Sequence, residues 1–179
     1  SVNNSYATGN VSGGGSVGGL VGQINGGRVN NSYATGKANV TNVNAGGLVG
    51  SNLYGNISNS FATGNASGPD NVGGLVGYLY NASVNCSYSS GNVSGSTDIG
   101  GLIGSNDNSI VSNSFWDTQT SGKGTSSGGT SKTTAEMKDF LTFFNAGWDF
   151  ICESTNGTAD IWGINSSEHN GYPFLWWQG

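Results

Sequence analysis

Val2-Asn-Asn-Ser-Tyr-Ala-Thr-Gly9 returns as Val29-Asn-Asn-Ser-Tyr-Ala-Thr-Gly36, as Ile57-Ser-Asn-Ser-Phe-Ala-Thr-Gly64, as Val84-Asn-Cys-Ser-Tyr-Ser-Ser-Gly91 and, cut short, as Val111-Ser-Asn-Ser-Phe115. A second segment alternates with it: Val17-Gly-Gly-Leu-Val-Gly22, Ala45-Gly-Gly-Leu-Val-Gly50, Val72-Gly-Gly-Leu-Val-Gly77 and Ile99-Gly-Gly-Leu-Ile-Gly104. The aromatic residues Tyr6, Tyr33, Phe61, Tyr88 and Phe115 stand 27, 28, 27 and 27 positions apart. A fixed period of this length, without helical spacing inside it, predicts stacked coils. The expected fold is all-β, a parallel β-helix or β-solenoid of repeats over 1–115. An aromatic-rich C-terminal cap over 116–179, with one short helix, is expected to follow.

Within a repeat, Val2, Asn4, Tyr6 and Thr8 share a parity, so an uninterrupted strand would present all four on one face. That face is assigned to the interior, with Tyr6, Tyr33, Phe61, Tyr88 and Phe115 as a core ladder. Asn4, Asn31, Asn59 and Asn113 would form a hydrogen-bonding column interrupted by Cys86. Leu20 and Val21 are harder to orient, because adjacent strand residues face opposite sides and both are apolar. The surrounding glycines point to tight corners. Ser12–Ser16 and Asn52–Asn56 read as corners of variable length.

The chain holds 33 glycines and only 8% charged residues, against about a quarter charged in ordinary soluble domains. Its 11% aromatic content and regular Val and Ile separate it from disordered chains. The formal charge of −5, with five scattered Lys and Arg, argues against a nucleic-acid partner, which needs clustered cations. No window approaches the roughly 20 apolar residues of a membrane span. No basic-then-apolar leader is present at Ser1, which falls within a repeat. The expected source is therefore a longer precursor, and the expected partners are its upstream repeats or copies of this chain.

The four Gly-Gly-Leu-(Val/Ile)-Gly copies, in phase with the Asn-Ser-Tyr-Ala-Thr-Gly copies, resemble the GLUG-motif repeats of bacterial and archaeal surface proteins. The resemblance covers roughly residues 1 to 115. It implies an extracellular or cell-surface location, membership of large adhesin-like or envelope proteins, and occasional attachment to proteases. Trp148-Asp-Phe, Trp162-Gly-Ile and Gly171-Tyr-Pro-Phe-Leu-Trp176 are similar to the segment that often follows such repeats.

Thr120–Lys132 is rich in Gly, Ser and Thr and reads as a linker. Thr133 with Glu136 fits a capping box. Met137, Phe140, Leu141 and Phe144 follow at helical spacing, and Gly147 ends the pattern. With Trp148, Trp162 and Trp176, the cap residues Phe140 and Phe144 would cover the open end of the solenoid, since an uncovered end leaves unpaired strand edges. The alternative for the tryptophans is a carbohydrate-stacking surface, which would require them to be exposed.

Catalytic chemistry finds little footing. His169 is the only histidine and lies in a polar stretch, so neither a serine hydrolase nor a histidine zinc site is expected, and no cofactor or metal is expected. Asp70, Asp98 and Asp107 lie in loops and could converge only through stacking. A hydroxyl column of Thr8, Thr35, Thr63 and Ser90 is placed at or near the core. Cys86 and Cys152 are an even pair that a disulfide could join. Among many Asn-x-Ser/Thr sequons, Asn10, Asn65 and Asn92 fall in turns and are the candidate glycosylation sites.

The function expected is a non-catalytic extracellular scaffold, an adhesin-like or cell-envelope module displaying variable loops. The alternative is a self-assembling filament or sheath subunit, and a third reading is a carbohydrate-binding or carbohydrate-cleaving module. Host or cell-surface glycans are a candidate partner.

Overall fold

The computed structural model describes residues 1–178. Each repeat forms one coil of five short strand segments, and equivalent segments of successive coils pair in parallel and in register. The valine sheet contains Val2–Asn3, Arg28–Asn30, Asn56–Ser58, Ser83–Asn85 and Ile110–Ser112. The aromatic sheet contains Tyr6–Ala7, Tyr33–Ala34, Phe61–Ala62, Tyr88–Ser89, Phe115–Asp117 and Thr130–Lys132. Three four-stranded sheets complete the wall, and Val49–Leu53 and Val76–Tyr80 are their longest central strands. The 27-residue period is thus a parallel β-solenoid, with side chains of one type stacked over their counterparts at about 4.8 Å per rung.

The single 28-residue interval comes from one extra residue in the second coil. Ala38 pairs with Val11 and with Ala66, whereas Ala45 pairs with Val17 and with Val72. The addition therefore falls between residues 38 and 45, at the corner where Val43 is 40% exposed. The corner at Asn52–Asn56 keeps one length in every coil, because Leu53 pairs with Asn25 and Tyr80, and Asn56 with Arg28 and Ser83. Only the first of the two expected variable corners varies.

The strand from Val2 to Thr8 is not continuous. Asn4, Asn31, Asn59, Cys86 and Asn113 all adopt positive φ, between 45° and 49°, a left-handed conformation that Asn tolerates better than most residues. This bend changes which side chains point inward. Val29, Ile57 and Val84 before it are buried, and Ala34 and Ala62 after it are fully buried in the same cluster. Tyr6, Tyr33, Phe61, Tyr88, Phe115 and the Thr8 column therefore project outward, correcting the interior assignment. The asparagines are corner residues, and the bonding column belongs to the adjacent serines. Ser32, Ser60, Ser87 and Ser114 each accept the N–H of the serine one coil earlier at 3.2 Å. Each also donates to the carbonyl two residues before it, at 2.7–2.8 Å. The serine N–H groups at the first four bends are thereby paired within the stack.

The Gly-Gly-Leu-Val corner resolves how two adjacent apolar residues both face inward. The N–H groups of Leu48 and Val49 donate to one carbonyl, that of Leu75, each at 3.0 Å. This breaks the strand alternation, and Leu48, Val49, Leu75, Val76, Leu102 and Ile103 are all fully buried. The second glycine of the motif has no room for a side chain. A Cβ on Gly47 would lie 2.1 Å from the Gly74 carbonyl oxygen and 2.8 Å from the Ala62 Cβ. A smaller apolar compartment of Val40, Ala45, Ala66, Val72 and Val93 lies apart from this main core.

Candidate functional site

The stack does not stop at Phe115. Trp116 continues the column of Ala34, Ala62 and Ser89, with Ser89 aligned to Trp116. The indole plugs the main core at 5% exposure and donates from Nε1 to the Lys123 carbonyl at 2.9 Å. The polar linker then lies across the last coil. Gly101 N–H donates to Thr125, Ser127 N–H donates to Ile103, and Thr130–Lys132 adds the sixth strand of the aromatic sheet. The end cover is thus Trp116 and the Ser/Thr-rich segment. A Trp at the position held by Ala in three earlier copies and by Ser in the fourth was the available sequence signal.

The aromatic tail instead lies along the flank, over the outward aromatic column. Tyr6, Tyr33, Phe61 and Tyr88 form a stack with centroid spacings of 5.3, 5.0 and 5.0 Å and interplanar angles of 9° or less. Tyr6 is 59% exposed, while Phe61, Tyr88 and Phe115 are buried beneath Met137, Phe143, Trp148, Phe150 and Trp162. An outer surface of stacked rings would otherwise be a large wetted apolar patch, so covering it is the main driving force for docking the tail. Directional bonds fix its placement. Trp148 Nε1 donates to the Asn113 carbonyl at 2.9 Å, Trp177 Nε1 to the Asn31 carbonyl at 3.1 Å, and Tyr88 Oη to the Pro173 carbonyl at 2.7 Å. Two of these acceptors are carbonyls of the left-handed corner residues.

The helical stripe of the tail is also redistributed. The Thr133–Glu136 capping contacts form, with Thr133 N–H to Glu136 Oε2 at 2.8 Å and Glu136 N–H to Thr133 Oγ1 at 3.3 Å. They precede a 3₁₀ turn at Glu136–Lys138, and Asp139 then starts a new short helix by accepting the Leu141 N–H at 3.0 Å. With α1 at Thr118–Ser121, this helix is α2, Phe140–Phe144. The interruption turns Met137 and Phe143 inward, both fully buried, and leaves Phe140 37% and Leu141 54% exposed. Phe144 is half-buried, Trp148 and Trp162 are fully buried, and Trp176 is 51% exposed.

The tail is tied to the stack by one buried acid. Asp117 accepts the Tyr172 hydroxyl at 2.6 Å and the N–H groups of Gln119 and Thr120 at 2.8 and 3.1 Å. Burial pushes its carboxyl up, but the hydrogen bonds from Tyr172, Thr134, Thr120 and Gln119 together hold it below its ordinary value. Burial first, and then the hydrogen bond and negative charge of Asp117, push the Tyr172 phenol well up. Tyr172 also stacks on Tyr88 at 6.2 Å, with the Lys138 ammonium 5.1 Å from its centroid.

Between the tail and the coils runs a groove of about 560 Å³. One wall is the hydroxyl column Thr8, Thr35, Thr63 and Ser90; the facing wall carries His169, Asn170 and Gln178, with Tyr33, Phe61 and Tyr88 contributing to the lining. The three threonines are exposed rather than near the core.

Cys86 and Cys152 are free thiols, the first buried and the second exposed, so of the two states open to an even pair the structure has the separate thiols. Cys86 is enclosed in the aromatic cluster under the tail, which keeps it from a surface partner. Burial pushes its thiol up to about 11, only partly offset by a hydrogen bond with Asn85. Asn10, Asn65 and Asn92 are all exposed, and the amide oxygens of Asn10 and Asn65 accept the N–H of Lys37 and Asn92. His169 is exposed, with its ring stacked on Phe174 at 4.7 Å. Among the described residues, no group of His, Cys, Asp and Glu is arranged to hold a metal ion, and no helix is long and apolar enough to cross a membrane.

Comparison with known proteins adds a motif match and a fold. The GLUG motif matches residues 13–41 and 41–67, two adjacent repeats. Among curated proteins, none matches the chain. A crystal structure from Bacteroides ovatus, described as that of a candidate immunoglobulin A1 protease, is 21% identical, covers 96% of this chain and superposes with a TM-score of 0.62. This chain spans 56% of the length of that one, and the likeness is one of fold. The chain carries tandem GLUG repeats, each wound as one coil of a parallel β-solenoid.

Proposed function

We propose that the chain is a non-catalytic scaffold module of an extracellular, adhesin-like or cell-envelope protein. The observation that carries this reading is the division of labour within a coil. Inward positions and the serine column hold neighbouring coils together and the outward aromatic column holds the tail, which leaves the corner at residues 41–44 free to vary. A stack closed by in-register backbone pairing suits a polypeptide that must stay extended outside a cell. The exposed Asn10, Asn65 and Asn92 are compatible with glycan attachment in a host that modifies exported chains.

Protease activity is the competing possibility raised by the name of the structural neighbour. Against it stands the environment of His169, exposed on the tail with Phe174 as its ring partner, whereas a catalytic base must be oriented toward a nucleophile. Incubation of the purified chain with immunoglobulin A1 is expected to leave the heavy chain intact; specific cleavage would overturn the non-catalytic reading.

The second reading, a filament subunit, draws on the strands Val2–Asn3, Tyr6–Ala7 and Val11–Gly13. They are the edge strands of their sheets, and an upstream coil or another copy would extend them. Electron microscopy with intact-mass measurement separates the readings. Discrete short rods support the displayed module, ordered fibres support the polymer, and a mass above 18.1 kDa reports glycan attachment.

A further inference from the structure

We propose that the groove beside the threonine column binds a neutral oligosaccharide chain laid along the solenoid axis. Two outward columns lie side by side on the aromatic sheet, and the tail treats them differently. It buries the rings of Phe61 and Tyr88 but leaves Thr8, Thr35 and Thr63 exposed. The serine hydroxyls at the bend are consumed within the stack, whereas the exposed threonines line the groove.

The chemistry of the walls selects the ligand class. Among the described residues neither Asp, Glu, Lys nor Arg lines the groove, so no permanently charged side chain is there to neutralise a phosphate, sulfate or carboxylate, and the His169 imidazole adds a further hydrogen-bonding group to the tail wall. Asp117, one rung beyond Ser90, is already occupied by Tyr172 and two backbone N–H groups. What remains is hydroxyl, amide and the His169 imidazole on the two walls, with aromatic surface from the half-buried Tyr33. Hydroxyl groups both donate and accept, and ring surfaces suit apolar C–H faces; a pyranose presents both.

The geometry selects a chain over a single sugar. Successive threonines repeat at the rung spacing, about 4.8 Å, so the column from Thr8 to Ser90 extends about 14 Å. That spacing is close to the advance of one pyranose unit along an extended polysaccharide. An extended peptide advances about 3.3 Å per residue and is recognised mainly by free strand edges, which this wall does not present. The groove volume lies within the roughly 300–1,000 Å³ of small-ligand sites. The site does not depend on where the protein resides, so it can fail without the scaffold reading failing.

The test is calorimetric titration of the whole chain with cellohexaose, chitohexaose, mannohexaose and a neutral hexapeptide. Saturable binding of at least one saccharide is expected, with the hexapeptide inert. The double variant Thr35→Val/Thr63→Val keeps the β-branched shape and is expected to bind about tenfold more weakly, at an unchanged unfolding midpoint. Asn170→Gly, which preserves the positive φ of 56°, removes one contact from the facing wall and is expected to weaken binding too. Thr41→Val, on another exposed corner, is expected to bind as the parent does. Absence of binding to all three saccharides, preference for the peptide, or saccharide binding unaffected by the double variant and by Asn170→Gly would each overturn the proposal.

Discussion

The Ser60 hydroxyl accepts the backbone N–H of Ser32, one coil earlier, at 3.2 Å while donating to the Ser58 carbonyl at 2.7 Å. The pair is fully buried. Ser60→Ala would leave an N–H without a partner, and about 1–3 kcal/mol of destabilisation is expected in urea unfolding. The neighbouring bend residue responds to conformation instead. Asn59→Gly is expected to stay within about 0.5 kcal/mol, and Asn59→Val to lose roughly 1–2 kcal/mol because it must hold φ of 47°.

Gly47→Ala tests the glycine corner. Its Cβ would meet backbone at 2.1 Å, whereas a Cβ on Gly15 would meet nothing within 4 Å. Thermal unfolding should show a loss on the order of 3 kcal/mol or more for the first and about 0.5 kcal/mol or less for Gly15→Ala.

The tail should behave as a docked flank. Trp148→Ala removes a fully buried indole and its bond to Asn113, with an expected cost of about 3–5 kcal/mol. Limited proteolysis should then cut within residues 133–178 while the coils remain protected. Trp176→Ala, at a half-exposed position, should leave the digestion pattern unchanged.

Asp117 links this docking to pH. Its folded-state pKa lies below the ordinary value, about 3.9 for Asp in an unfolded chain. Its contribution is therefore fully present above about pH 4 and is lost as pH falls through the lower folded value. Asp117→Asn should lower the unfolding midpoint at neutral pH and flatten the acid limb of the midpoint–pH curve. An equally steep limb in the variant would assign it to other groups.

The two thiols should separate kinetically. Iodoacetamide at pH 8 is expected to modify exposed Cys152 in the native protein and to modify Cys86 only after unfolding, because burial and the raised pKa both suppress its thiolate. Intact mass after labelling reads one adduct or two.

The coil period and register were legible in the sequence because stacking forces equivalent residues into alignment. Sidedness was not, since one left-handed residue at Asn4 or Asn31 shifts the alternation that parity counting assumes. The same bend moved the hydrogen-bonding column from Asn31 to Ser32. Thr133 and Glu136 gave a correct local contact, but Asp139 restarts the helix and so Phe143, rather than Phe140 or Leu141, faces the aromatic column. The groove was not legible at all. It depends on the tail returning past the threonines, a long-range contact that neither segment announces alone.

The central structural claim is that the tail lies along the outer aromatic column rather than over the open end of the coils. Nuclear Overhauser contacts of the Trp177 indole test it most directly. Cross-peaks to the Tyr33 and Tyr6 rings, whose centroids lie 5.8 and 6.4 Å away, are predicted; contacts to Trp116, Leu102 and Thr125 instead would place the tail over the end and contradict the account.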